Sequence, residues 1–337
     1  MTQGESRSPR KERLAFPSFV RLSTYMRIPL PMKPSTRAFL DEARRTPGFT
    51  VFDRLHAYVY GRWCYLYIAM AKGQHPASRL IYPLLAGLGK FSRLLSGGGT
   101  DPDRGKKVFA DSYHGKAVSL DSARKLISVG REVSLELPEQ VIPYTQARDI
   151  VLKNPTLIAA LDCPCRAASP NPCLPLSVCL LVGDPFASFM LEHHPKRTRR
   201  ISVQEALDIL SAEDARGHAH HAFFKDAMLG RFYAICNCCS CCCGAMQAHK
   251  RGVPMLASSG YVCRVETEHC AGCGACTEAC PFGAMGIRDD HAWVDEKQCM
   301  GCGVCLTRCD HQALHLEREP SRGDPLEIEA LLNAKSP

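Results

Sequence analysis

Eight cysteines near the end of the chain constrain its fold more than any other feature. They form two runs with the same C-x2-C-x2-C-x3-C spacing: Cys270, Cys273, Cys276 and Cys280, then Cys299, Cys302, Cys305 and Cys309. Small residues lie between them, so a tight loop can bring three thiolates and several backbone N–H groups around one cluster. Paired C-x2-C units also hold tetrahedral zinc. Three cysteines at equal steps, a fourth four residues on and a complete second copy favour two [4Fe-4S] clusters over zinc.

The two runs and their surroundings, residues 262–317, resemble the two-cluster module of bacterial ferredoxins. Pro281 follows the first run, and Ala284 aligns with Ala313 at the same offset as the cysteines. The resemblance implies a small βαββαβ domain in which the fourth cysteine of each run ligates the other run's cluster. It therefore implies that one cluster is held by Cys270, Cys273, Cys276 and Cys309, and the other by Cys299, Cys302, Cys305 and Cys280. Asp310 stands where the first run has Pro281, which leaves the ligands intact.

Ten more cysteines fall within 81 residues upstream of these runs, and this density predicts metal binding rather than packing. They are Cys163, Cys165, Cys173, Cys179, Cys236, Cys238, Cys239, Cys241, Cys242 and Cys243. The first four can complete one [4Fe-4S] cluster, which leaves the other six for a second or a larger cluster, with zinc as the alternative. Neighbouring cysteines of the 236–243 run project in different directions. They therefore serve two sites, or include residues that are not ligands.

Histidines crowd the same part of the chain. His193 and His194 are expected at a helix end, and His218, His220 and His221 in a polar turn after a glycine. Their closeness to the cysteines makes one of them a candidate metal ligand or proton donor. The isolated Cys263, just before the first C-terminal run, is interpreted as a packed thiol rather than a ligand.

The upstream cysteine region resembles the front part of poorly characterised bacterial 4Fe-4S dicluster-domain proteins. The segments that carry the resemblance are Asp162-Cys163-Pro164-Cys165-Arg166 and the Cys236–Cys243 run, within residues 110–262. The resemblance implies that this region and the C-terminal module belong together. It implies no substrate.

Charge and periodicity predict how the chain is organised. Residues 1–110 carry 19 Lys and Arg against 7 Asp and Glu, whereas residues 111–337 carry 23 against 27. Apolar periodicity predicts one amphipathic helix over 50–72 and a short helix over 144–153. The predicted class is α+β, with a disordered basic tail (1–13), a basic helical region (14–105), a cysteine-rich α/β metal-binding module (106–261), a dicluster domain (262–318) and a C-terminal tail (319–337).

The functional interpretation follows from the cysteines and the charge. No Walker sequence, Rossmann glycine fingerprint or G-x-S-x-G motif occurs, so nucleotide binding and acyl transfer are not indicated. The sequence therefore predicts an iron–sulfur protein that relays electrons between redox partner proteins. One alternative is a redox enzyme whose active metal lies in the Cys163/Cys236 region and receives electrons from the dicluster domain. Another is an upstream region held together by structural zinc.

Location and further partners are expectations of the same kind. Twenty cysteines without a secretion signal predict a reducing compartment, with the cytoplasm as the default. The basic front of the chain predicts contact with an acidic protein face or with the surface of an anionic membrane. Nucleic acid is not expected as a partner, because no nucleic-acid motif accompanies the charge.

Overall fold

The structure is a computed structural model that describes residues 32–80 and 102–334. The predicted disordered tail, residues 1–13, lies outside the described residues, and so does much of the predicted basic helical region. Helices alternate with strands along the described chain, so the predicted α+β class is confirmed. The predicted domain boundaries stay predictions.

Three helices begin the described chain: α1 (Pro34–Arg45), α2 (Val51–Arg62) and α3 (Cys64–Ala71). Thr50 starts α2 with a capping box, in which its side chain accepts from the Asp53 N–H and the Asp53 carboxylate accepts from the Thr50 N–H. The single helix predicted over 50–72 is divided at Trp63, which has φ −127° and ψ 36°. The division turns α3 toward the cysteine-bearing loops of the middle module.

An eight-stranded sheet lies at the centre of the middle module, in the order β2-β3-β4-β7-β6-β1-β8 with β5 beside β3. Its strands are β1 (Tyr113–Val118), β2 (Val133–Glu136), β3 (Asp149–Asp162), β4 (Ser177–Asp184), β5 (Thr198–Ile201), β6 (Ala219–Lys225), β7 (Arg231–Cys238) and β8 (Leu256–Ala257). The accompanying helices are α4 (Pro102–Ser112), α5 (Leu120–Ile127), α6 (Pro164–Ala167), α7 (Phe186–His193), α8 (Val203–Ala215) and α9 (Gly244–Lys250). The pairs β4–β7 and β7–β6, which matter most for the site, are antiparallel.

The helix predicted over 144–153 is wrong. From Asp149 the chain is strand β3, because pairing with β2 and β4 outweighs a weak helical pattern. Asn154 has a positive φ of 50°, and the register with β4 shifts between Lys153 and Ile158. The Asn154-Pro155 pair therefore makes an irregularity within a long strand rather than a helix end.

The polar turn predicted after Gly217 is wrong for His220 and His221, although His218 lies before the strand as expected. Strand β6 begins at Ala219, and His220 and His221 are fully buried in it. Strand β6 pairs with β7 along one edge and with β1 along the other, so it lies inside the sheet, and packing covers both histidine side chains. The tertiary position of β6, rather than its polar sequence, decides the burial.

The C-terminal part of the chain contains strands β9 (Tyr261–Val265), β10 (Met285–Arg288), β11 (His291–Val294) and β12 (Leu314–Arg318), with helices α10 (Ala275–Ala279) and α11 (Ile328–Asn333). Strand β9 pairs antiparallel with β12, and β10 with β11. The finer βαββαβ arrangement stays a prediction. In the segment predicted as a C-terminal tail, Leu326 and Ile328 are buried against the rest of the chain.

The N-terminal helices pack on the middle module with one face. Phe39 of α1 is buried in ring contacts with Phe186 and Phe189 of α7, and the Tyr65 hydroxyl of α3 donates to the Asp162 carbonyl at 2.8 Å. The opposite side exposes apolar residues, among them Val51, Phe52, Leu55 and Leu66. None of the described helices is long and apolar enough to cross a membrane.

Candidate metal centres

The eight C-terminal cysteines line two separate cavities of about 320 Å³ each. One cavity is lined by Cys270, Cys273, Cys276 and Cys309. The other is lined by Cys280, Cys299, Cys302 and Cys305. Each cavity thus takes three cysteines from one run and the fourth from the other run. This is the crossed distribution that the ligand prediction requires.

Glycines allow each run to wrap its cavity. Gly272 and its repeat counterpart Gly301 have positive φ values of 63° and 61°. A Cβ atom would lie 2.2 Å from the Asp290 carbonyl oxygen at Gly272 and 2.2 Å from the Tyr261 carbonyl oxygen at Gly301. Only glycine satisfies both the dihedral and the space at these two positions.

Backbone N–H groups point at the cysteine sulfurs in both cavities. The N–H groups of Ala292, Ala284 and Ala313 donate to the sulfurs of Cys270, Cys280 and Cys309 at 3.3, 3.2 and 3.3 Å. Such donors stabilise a thiolate bound to a cluster. Burial raises the pKa of Cys276, Cys299 and Cys302, so these sulfurs need a nearby positive charge to be thiolates. Cluster irons supply that charge, and the residues present therefore fit iron–sulfur clusters.

The two cavities differ at one position of the repeat. Cys263 occupies the place that Ala292 occupies in the other half, and its N–H points at the Cys299 sulfur at 3.5 Å. Its own sulfur is buried and lies 3.6 Å from the Cys305 sulfur, and this contact raises the pKa of Cys305. The sequence prediction of a packed thiol missed this contact with a predicted ligand.

The comparison with known families agrees with this geometry. Residues 269–314 match the family model of the 4Fe-4S dicluster domain. The C-terminal module is therefore an iron–sulfur module of the ferredoxin-like kind, and it implies iron–sulfur electron transfer. No curated protein matches the chain.

The ten upstream cysteines form two groups that differ from the grouping expected from sequence order. The structure separates Cys173 from Cys163, Cys165 and Cys179 and places it with three cysteines of the 236–243 run. We refer to this set as the four-cysteine group: Cys173, Cys239, Cys241 and Cys242. The other upstream cysteines form the six-cysteine group: Cys163, Cys165, Cys179, Cys236, Cys238 and Cys243.

The four-cysteine group has the spacing of a metal site. Its sulfurs all lie within 4.8 Å of one another, with 2.9 Å between Cys173 and Cys241. Four thiolates around a tetrahedral ion at about 2.3 Å are spaced by roughly 3.8 Å, so the group can hold metal once the Cys173 and Cys241 sulfurs move apart by about 1 Å. Burial would raise the pKa of Cys242, but the Cys173 N–H and neighbouring donors lower it to about 7. A thiolate is therefore accessible there near neutral pH.

Strand register explains why the six-cysteine group forms. Leu180 pairs with Ile235 in the antiparallel β4–β7 ladder, so Cys179 stands opposite Cys236. On the other side of β7, Cys236 pairs with His221 of β6. Residues directly opposite in neighbouring strands share a face, so these three side chains form a row across the sheet. Cys238, two residues after Cys236, lies on the same face.

The opposite face of β7 holds a buried polar network that positions the cysteine segments. The Asn237 side chain donates to the Val178 carbonyl at 2.7 Å and bonds His220 at 2.6 Å. Arg166, next to Cys165, donates to the Asn237 carbonyl at 3.0 Å and forms a 2.5 Å ion pair with Glu213 of α8. Both members of the ion pair are about 1% exposed, so the pair fastens the Cys163–Arg166 segment to β7 and α8 from within.

A lysine from the N-terminal helices joins the two groups of cysteines. The Lys72 ammonium donates to the carbonyls of Cys165 and Cys242 at 2.7 and 2.8 Å and to the Ser169 hydroxyl at 3.0 Å. Nothing in the sequence near Lys72 signals this role, because its partners lie about 90 and 170 residues further along the chain.

The histidines separate into distinct roles. His193 and His194 bond Thr36 and the Gly61 carbonyl at 2.7 and 2.9 Å, which makes them part of the packing of the N-terminal helices. His218 bonds Glu213 at 2.7 Å at the edge of the four-cysteine group. His221 alone among the predicted candidates lies in the row with Cys236.

Proposed function

We propose that the protein is an iron–sulfur electron carrier with two [4Fe-4S] clusters in its dicluster domain and a metal site at the four-cysteine group. The two cavities lined by crossed sets of four cysteines carry the proposal. A [4Fe-4S] cluster accepts and releases one electron at a time. In this proposal Cys270, Cys273, Cys276 and Cys309 hold one cluster, and Cys280, Cys299, Cys302 and Cys305 hold the other.

The surroundings of the two cavities support different roles for them. Cys273 of the first cavity is exposed, which suits exchange of electrons with a redox partner protein. The second cavity faces the middle module: Cys302 packs with Ala219 of β6, and the Phe282 ring lies 6.1 Å from the ring of His221. A relay between an external redox partner and the upstream metal would therefore pass through the second site.

A groove beside the four-cysteine group favours the second candidate function, a redox enzyme. It is lined on one side by Cys173, Cys241 and His218 and on the other by Cys280 and Arg308 of the dicluster domain. A small substrate in this groove would contact both the upstream metal and a proton-carrying histidine held by a carboxylate. This candidate differs from the first because a substrate bound in the groove would be chemically converted, whereas an electron carrier only transfers electrons.

One experiment tests the electron-carrier proposal. The full chain is purified without oxygen, and iron, sulfide and zinc are counted per chain before electron paramagnetic resonance (EPR) of the reduced protein. About eight irons with the signal of two interacting [4Fe-4S]+ clusters are expected from the dicluster domain. Fewer than about six irons with zinc in proportion would refute the two-cluster assignment. Double replacement of Cys239 and Cys241 by serine should leave those eight irons in place.

Partner and location complete the proposal. A chain rich in thiol ligands belongs in a reducing compartment, and we propose the cytoplasm. The exposed apolar side of α2 and α3, with Arg54 and Arg62 beside it, suits peripheral contact with an anionic membrane. Co-sedimentation with anionic vesicles, compared between the unmodified chain and a Phe52→Ser, Leu55→Ser variant, tests that contact. Equal sedimentation of the two would count against it.

A further inference from the structure

The six-cysteine group lines one cavity in the middle module. We propose that Cys163, Cys165, Cys179, Cys236, Cys238 and Cys243 together hold a single iron–sulfur cluster with more than four irons. This site is separate from the dicluster domain and adjoins the four-cysteine group, whose Cys239 forms part of the cavity wall. The electron-carrier proposal does not require it.

Four of the six sulfurs lie along the ends of β3, β4 and β7. Cys163 follows β3 and lies beside both Cys165 and Cys179. Cys179, on β4, lies in turn beside Cys236 on β7. The sulfurs of Cys165, Cys163, Cys179 and Cys236 are therefore consecutive neighbours along this side of the cavity.

The remaining two sulfurs, at the start of helix α9 and the end of β7, close the ring. Cys243 immediately precedes α9 and lies beside both Cys165 and Cys238. Cys238 and Cys236 share one face of β7, which completes the ring. Each of the six cysteines thus has a neighbour on either side, and all of them line the same cavity.

The spacing of these sulfurs differs from that of the four-cysteine group. All six lie among the described residues, yet no three of their sulfurs come within 4.8 Å of one another as the four-cysteine sulfurs do. A single tetrahedral ion needs that closeness. Sulfurs that surround a space rather than converge on a point fit a cofactor with inorganic atoms of its own.

The cavity that the ring lines is mostly apolar and larger than either dicluster cavity. With its open side included, its volume is about 920 Å³, against about 320 Å³ for each dicluster cavity on the same basis. Aromatic rings form much of the remaining wall, including Tyr60, Phe189, Phe223 and Tyr233. A wall without charged carboxylates shields a cofactor from water and leaves the thiols as its ligands.

His221, beside Cys238, is a second observation that favours a thiolate at this site. It is fully buried in β6, and neither ring nitrogen has an oxygen or nitrogen partner. Buried imidazole nitrogens without partners are costly, and native structures rarely leave them so. The ring stands opposite Cys236 and beside Cys238. A cluster-bound thiolate at Cys238 would give His221 a hydrogen-bond acceptor beside the cluster.

Two smaller cofactors account less well for these observations. A cubane takes one thiolate for each of its four irons, which would leave two of the six cysteines without a role. Two zinc ions can share six thiolates, but their tetrahedral sites draw the sulfurs into close contact and leave no cavity. The number of sulfurs and the empty space together favour the larger cluster.

Iron counting in matched variants tests the proposal. The four-cysteine group is first removed by Cys241→Ser with Cys242→Ser, neither of which lines the ring's cavity, and the full chain is purified and reconstituted with iron and sulfide without oxygen. We expect more than about twelve irons per chain, since the dicluster domain takes about eight. Twelve or fewer irons, or two zinc ions bound in their place, would overturn the proposal.

Addition of Cys163→Ser and Cys236→Ser to that variant is expected to lower the iron to about eight. The EPR signal of the dicluster domain should stay unchanged. Cys64→Ser is the control, because Cys64 lines the same cavity without belonging to the ring. The Cys64→Ser variant should retain all the iron. Equal iron in the variants with and without Cys163 and Cys236 would refute the site. Fewer than eight irons after both removals would count against the dicluster assignment instead.

Mössbauer spectra of the unmutated chain provide a test that does not depend on the folding of variants. In protein loaded with 57Fe, we expect iron sites that do not belong to cubanes, and His221→Gln should shift those sites only. Spectra that are accounted for entirely by [4Fe-4S] cubanes would overturn the proposal.

Discussion

The dicluster domain and the upstream module both gather cysteines, but they do so by different means. In the dicluster domain each cavity takes three cysteines from one tight loop, with glycines that let the backbone approach the sulfurs. In the upstream module neighbouring residues of one run go to different sites, and each site draws on strands and loops far apart in sequence. A local loop encodes its ligands directly, whereas a sheet distributes them by the alternation of its faces.

The largest effect is expected from Gly301→Ala in the dicluster domain. The new Cβ would lie 2.2 Å from the Tyr261 carbonyl oxygen at a φ of 61°, so the second loop cannot keep its shape. We expect loss of about four irons per chain, measured by iron analysis and EPR. Gly274→Ala is the matched control: its φ is also positive, but nothing lies within 4 Å of the added atom. It should cost about 1 kcal/mol and retain the iron. Equal iron loss in both variants would show that the close approach of the Tyr261 carbonyl at Gly301 is not what cluster binding depends on.

The upstream module should depend instead on its buried polar network. Arg166→Met leaves Glu213 without its buried partner, and we expect a loss of about 3–5 kcal/mol in the free energy of unfolding. Metal bound upstream should be lost as well, while the dicluster EPR signal stays. Arg199→Met breaks an exposed ion pair with Glu205 in the same module and should cost less than about 1 kcal/mol. A similar cost for both variants, by chemical denaturation, would contradict this role for Arg166.

The pH dependence of stability should report on the contact between Lys116 of the sheet and Asp324 of the C-terminal segment. Burial, and then the nearby Arg318, lower the pKa of Lys116 to about 7, and its amine donates to the Asp324 carbonyl at 2.7 Å. Between about pH 7 and pH 10.5 the unfolded chain keeps a proton that the folded chain has lost, so stability rises with pH there and is lost as pH falls toward 7.

The size of this effect is up to a few kcal/mol, at about 1.4 kcal/mol per pKa unit. Lys116→Met should flatten the pH profile of the unfolding free energy above pH 7. Lys125→Met, which removes an exposed lysine paired with Asp121, should leave the profile unchanged. A slope that persists in Lys116→Met would assign it to another group.

The smallest effect concerns the asymmetry between the two halves of the dicluster domain. When Cys305 is a thiolate ligand, the Cys263 S–H can donate to it across 3.6 Å and stabilise the reduced cluster. Cys263→Ala recreates the alanine of the other half, so we expect a small fall in the reduction potential of that cluster alone. Redox titration followed by EPR measures it, with Ala292→Ser as the matched change at the other cavity. Unchanged potentials would make Cys263 a packing residue.

The same contrast separates what was predictable from what was not. The iron–sulfur module follows from the spacing of the cysteines, because each loop carries three of its four predicted ligands and the glycines that shape it. The α+β class follows from periodicity and from the ferredoxin resemblance. The helix over 144–153 and the turn at His220 and His221 were wrong, since pairing within the sheet outweighed local pattern in both segments. No sequence pattern indicated the roles of Lys72 and Glu213, because the residues that they contact lie far away in the chain.

The sequence by itself therefore determined that the chain carries a dicluster domain and a second concentration of cysteines. Only the tertiary structure decided how that second set divides. Strand β7 alternates its faces, so Cys236 and Cys238 join a cavity with Cys179 while Asn237 between them faces a polar network. After the strand ends, the turn sends Cys239, Cys241 and Cys242 to Cys173 instead. Spacing along a chain specifies a site only where the chain itself wraps around it, and upstream the sheet brings the ligands together.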